Sequence, residues 1–88
     1  MKLIIAIIKD EDNDAVSSAL TKKEFRVTLI ASTGGFLRSG RSTLLIGLED
    51  DQVETALEII RQNCKKPEES KGKRATIFVL PVDQFTQL

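Results

Sequence analysis

Residues 25–48 read FRVTLIASTGGFLRSGRSTLLIGL, and this stretch decides the fold. Phe25, Val27, Leu29 and Ala31 alternate with Arg26, Thr28 and Ile30, which predicts a strand with one oily side and one partly polar side. Residues 32–41 (STGGFLRSGR) carry three of the chain's five glycines and read as a loop. Residues 42–48 (STLLIGL) return as a strand that is largely apolar on both faces. The stretch is therefore a hairpin with a wide, glycine-rich connection.

Each side of this hairpin carries one strand and one helix. Upstream, residues 3–8 (LIIAII) are apolar at every position, the mark of a strand buried on both faces. Asp10 or Asp12 offers an N-cap, Ala15, Val16, Ala19 and Leu20 form a helical stripe, and Lys22 and Lys23 suit the helix C-terminal dipole. Downstream, Asp50 or Asp51 offers the second cap, with Asp51 and Glu54 spaced for a capping box. Val53, Ala56, Leu57, Ile60 and Cys64 make a second amphipathic stripe. A polar connection over residues 65–73 (KKPEESKGK) leads to a last strand over 75–82 (ATIFVLPV), ended by Pro81, and a tail over 83–88. The order β-α-β-β-α-β predicts an α+β, ferredoxin-like domain spanning residues 1–88, a four-stranded antiparallel sheet with two helices on one face.

Two helices cover only one face of such a sheet, yet the strands at 3–8 and 42–48 send apolar residues to both. A chain of 88 residues and 9.8 kDa buries roughly 64% of its surface on folding, a marginal fraction. At about 25 cal/mol per Å², a bare patch of a few hundred Å² forfeits several kcal/mol. Association of copies into a closed ring is the expected remedy.

The composition removes whole classes of chemistry. There is no His, Trp or Tyr and a single Cys, so Ser-His and Cys-His pairs, His/Cys zinc sites and an intrachain disulfide are excluded. Cys64 reads as a small buried hydrophobe. No apolar run approaches the roughly 20 residues of a membrane helix, and the chain reads as cytoplasmic. No catalytic residue and no metal site are expected.

Charge is balanced at 13 basic and 13 acidic side chains, but residues 25–48 hold Arg26, Arg38 and Arg41 with no carboxylate. Arginines gathered around glycine amides suit a small anion, whereas long nucleic acid favours a broadly basic protein. Near-matches to three motifs fail on context. Residues 35–42 almost spell a P-loop, but a strand follows where a helix must open. An EF-hand starting at Asp10 would need glycine and glutamate where Ala15 and Thr21 stand. An RRM would display aromatics on the central strands, which have none.

The chain resembles the cyclic-di-AMP receptors of the PII-like superfamily (PstA/DarA-like). The resemblance rests on residues 1–12 (MKLIIAIIKDED), 25–28 (FRVT), 33–37 (TGGFL) with Ser39-Gly40, and Ile46-Gly47 before Glu49-Asp50. Residues 76–82 (TIFVLPV) with Gln84-Phe85 and Gln87 complete it. It implies a homotrimer with nucleotide sites in the clefts between subunits, acting as a non-enzymatic sensor whose loops reorder to signal to an unidentified downstream protein. On motif match it assigns ligand contacts to Arg26, Thr28, Gly35, Phe36, Leu37, Gly47, Phe78 and Gln87, and places Arg41 where the family commonly has asparagine. It implies cyclic-di-AMP as ligand and no further cofactor. The connection over 65–73 is shorter than the family's loop. With Arg41, it leaves a second expectation, a PII-like sensor or scaffold for another nucleotide or anion.

Overall fold

A computed structural model describes residues 1–32, 40–65 and 75–88. The elements are β1 (Lys2–Lys9), α1 (Asn13–Lys22), β2 (Arg26–Ser32), β3 (Arg41–Leu48), α2 (Val53–Asn63) and β4 (Ala75–Pro81). They build one antiparallel sheet in the order β2-β3-β1-β4. The expected ferredoxin-like α+β arrangement is the one the chain adopts.

The period of two along each strand separates two faces. Even-numbered residues of β1 and β3 (Ile4, Ala6, Ile8, Leu44 and Ile46, each 0% exposed) lie in the core with Val16 and Leu20 of α1 and Ala56 and Ile60 of α2. Each fully buried Ile or Leu contributes roughly 1.5–3 kcal/mol. Odd-numbered residues of β1 and β3 occupy the other face, together with Phe78 and Leu80, their partners on β4. Leu3, Ile5, Ile7 and Leu45 are only partly buried there, Leu80 is 42% exposed and Phe78 50%. Cys64 is buried at the end of the α2 stripe, as a small hydrophobe should be.

Four local expectations are corrected. Asp12 stands at the N-cap position of α1 but makes no side-chain cap bond, and with Asp10 it belongs to a 3-10 turn, Asp10–Asp12. Asp10 accepts a hydrogen bond from Ser42 Oγ, and Asp12 Oδ1 accepts from Lys65 N–H at 3.2 Å. Both acids thus serve tertiary contacts to β3 and to the end of α2. The capping box ahead of α2 is Glu49 with Gln52, not Asp51 with Glu54; Gln52 Oε1 accepts from Glu49 N–H at 3.0 Å. The box falls earlier because a 3-10 turn, Asp50–Gln52, precedes the helix. In β2 the two-residue period is interrupted by a register shift between Leu29 and Ala31, so that Leu29 pairs with Leu44 but Ala31 with Thr43. Arg41, expected in the loop, is the first residue of β3 and pairs with Lys9.

Candidate functional site

Arg26 owes its position to how α1 ends. Phe25 N–H donates to Leu20 O at 3.1 Å and Glu24 N–H to Thr21 O at 2.9 Å, the paired bonds of a Schellman motif. Glu24 takes the left-handed conformation that motif requires, with φ 67°. The sharp exit drops Phe25 into the core at 8% exposure, and the next residue, Arg26, emerges on the opposite face of the sheet.

Register then fixes what stands beside it. One row across the open face reads Arg26, Gly47, Leu3, Leu80; the next reads Thr28, Leu45, Ile5, Phe78. Arg26, Thr28 and Gly47 are therefore neighbours on two adjacent strands. The tail after β4 begins with Val82 N–H donating to Met1 O at 3.1 Å, and further along Gln87 reaches the opposite edge of the sheet. There Gln87 Oε1 accepts from Arg26 Nη1 at 3.5 Å. A neutral amide leaves the guanidinium charge uncompensated, and among the described residues no carboxylate forms an ion pair with Arg26. The result is an exposed cation on a largely apolar face, flanked by a hydroxyl and a glycine. It is suited to a phosphate joined to flat apolar groups.

Other predicted residues stand apart within one chain. Phe78 shares the open face, but three strand spacings, about 14 Å, separate β4 from β2. Arg41 lies on the same face six residues along β3 from Gly47, roughly 20 Å away. Gly35, Phe36 and Leu37 lie outside the described residues. The end of their connection is anchored, since Asp10 N–H donates to Gly40 O at 3.1 Å beside the Asp10–Ser42 bond.

A family model described as a cyclic-di-AMP receptor matches residues 1–71. The chain belongs to the cyclic-di-AMP receptor family. Its whole length is also similar to a functionally unknown protein from Pediococcus pentosaceus with a crystal structure. The two are 39% identical with a TM-score of 0.81, over 99% of this chain and 96% of that one. The family match includes Arg26, Thr28, Arg41 and Gly47 and stops before β4, so Phe78 and Gln87 lie beyond it.

Two features of this receptor bear on the site from outside. A cavity of about 670 Å³ lies between α2 and β4 on the helix side of the sheet, lined by Leu57, Ile60, Cys64, Ala75, Ile77, Val79 and Arg61. It is on the wrong face to be shared with Arg26. Met1 was given no role by the sequence, yet its side chain stands over Gly47: a Cβ added to Gly47 would meet Met1 Cε at 3.5 Å. The available signal was parity alone, since Met1 directly precedes β1 and is odd-numbered like Leu3, the register partner of Gly47. Among the described residues no helix is long and apolar enough to cross a membrane, and no group of three or more His, Cys, Asp or Glu forms a metal site.

Proposed function

We propose that three copies of this chain associate through their open sheet faces and bind cyclic-di-AMP in the clefts between neighbours, as a PII-like, non-enzymatic sensor. The observation that carries the reading is the row Arg26–Gly47 with Gln87 at its end, an uncompensated guanidinium on an apolar, incompletely buried face. Arg26 takes a phosphate, Thr28 donates a hydroxyl, and backbone amides of Gly35 with Phe36 and Leu37 complete the phosphate and base contacts. Gly47 leaves room for a purine, Phe78 and Gln87 close on a base, and Arg41 contacts the ligand from the far end of β3.

The separation of these groups supports a shared site. Phe78 and Arg41 stand too far from Arg26 in one chain to act on one phosphate, so a neighbouring copy supplies the missing wall. Covering Leu3, Ile5, Leu45, Phe78 and Leu80 between copies also removes apolar surface that one chain leaves in water. Loops reorder on binding and alter contact with a downstream protein. This signalling takes place in the cytoplasm.

Titration calorimetry with cyclic-di-AMP tests the reading, run beside light scattering. Heat saturating near one ligand per subunit, on a particle of three-subunit mass, is the expected result. No heat at tens of micromolar ligand together with an unchanged melting temperature overturns it. A thermal-shift panel of other nucleotides separates a receptor for another ligand, stabilised by one of them, from a scaffold stabilised by none.

A further inference from the structure

We infer that Met1 is a wall of the nucleotide site, a base-contacting residue held in place through its backbone. The inference deepens the cyclic-di-AMP reading and rests on it.

Three contacts hold this residue. Its ammonium nitrogen pairs with Asp50 Oδ1 at 3.1 Å. Its carbonyl accepts from Val82 N–H at 3.1 Å, the bond that starts the tail toward Gln87. Its thioether methyl sits over Gly47, at van der Waals distance from where a Cβ would stand. Gly47 is the register partner of Arg26, so the methyl stands beside the strand position that carries the Arg26 guanidinium. The side chain is 31% exposed, so a ligand can reach it.

The physics of the side chain fits the role. Methionine is unbranched and polarizable and packs well against aromatic faces, with sulfur about 5 Å from the ring. A purine whose phosphate lies on Arg26 meets this thioether where Gly47 offers no side chain of its own. Met1 must either stack on the base or swing aside, and the pinned backbone favours stacking. The same backbone links the wall to the tail: displacing Met1 loosens Val82 and with it the path to Gln87.

The chain contains a single methionine, so methyl-labelled protein gives one methionine signal, assigned without mutation. Intact mass first verifies that Met1 is retained. The labelled receptor is then titrated with cyclic-di-AMP, with calorimetry on the same sample. The expected result is a methyl resonance that shifts in step with the heat and shows nuclear Overhauser contacts to adenine ring protons. Asp50→Asn, which frees the ammonium, should weaken binding about two- to fivefold, the size of an exposed ion pair. Heat accompanied by no contact from the methyl to adenine overturns the role of Met1 and leaves the receptor reading standing. Absence of heat removes the receptor reading and this inference with it.

Discussion

The two faces of one sheet are made from alternate residues of the same strands and differ in almost everything else. On the helix side, Ile4, Ala6, Ile8, Leu44 and Ile46 are completely buried. On the open side, one residue along in each case, Leu3, Ile5, Ile7 and Leu45 are only partly covered, and Phe78 and Leu80 sit largely in water. Hydrophobicity alone does not distinguish the two sets. The difference is that the second set surrounds Arg26, Thr28 and Gly47, residues that a core would not tolerate or would not need. One face makes the fold, and the other is the one proposed above for association and binding.

The sharpest test of that division is a pair of truncations. Ile46→Ala should destabilise the receptor by about 2–5 kcal/mol, as cavity-forming core changes do, read by urea unfolding. Its neighbour Leu45→Ala should act on assembly instead: the unfolding midpoint of the native protein should rise with protein concentration, and this dependence should weaken in the variant. Equal, concentration-independent losses at both positions would erase the distinction between the faces.

Binding gives the next largest effect. Arg26→Ala should weaken cyclic-di-AMP binding by roughly 1.5–3 kcal/mol, the range for a hydrogen bond to a charged group, with little change in unfolding free energy. An unaltered calorimetric affinity would mean that the phosphate does not sit on this face.

A smaller effect comes from the corner that supports the glycine-rich connection. Ser42 is 1% exposed and donates to Asp10, so Ser42→Ala should cost about 1–3 kcal/mol of stability through the acceptor left short of a donor. A loss below a few tenths of a kcal/mol in chemical denaturation would show that water replaces the hydroxyl.

The fold was legible because hydrophobic period carries it. The continuous apolar runs at 3–8 and 42–48 and the stripe Val53, Ala56, Leu57, Ile60, Cys64 each had one economical burial. The errors cluster where several residues of similar chemistry compete for one role. Five of the six residues from 49 to 54 can accept a hydrogen bond through a carboxylate or amide side chain, and only backbone geometry selects Glu49 with Gln52. Asp10 and Asp12 look like caps because their tertiary partners, Ser42 and Lys65, are 32 and 53 residues away. Of the candidate site, strand alternation put Arg26 and Thr28 on one face, while their assignment to a ligand, like that of Gly47, came from the family resemblance. The contact of Met1 with Gly47 was not legible, because no local pattern marks a residue ahead of the first strand that folds over a glycine.

The smallest expected effect concerns the residue that divides the faces. Glu24 is the point at which the chain leaves α1 so that Phe25 enters the core and Arg26 does not. The sequence gives no hint of it, since glycine is the usual occupant of this left-handed position and a glutamate stands there at φ 67°. Glu24→Gly relieves the Cβ strain but adds freedom to the unfolded chain, and the two act in opposite directions. The strain term, about 1 kcal/mol, is the larger, so a net gain of roughly 0.5 kcal/mol is expected, a rise of about 2–4 °C in melting temperature. Affinity for cyclic-di-AMP should stay within about twofold, because the Phe25 N–H bond to Leu20 survives the change and still sends Arg26 to the open face. A variant that melts higher yet binds much more weakly would show that the glutamate itself, not the turn, sets the guanidinium, and the two faces would then be coupled through residue 24.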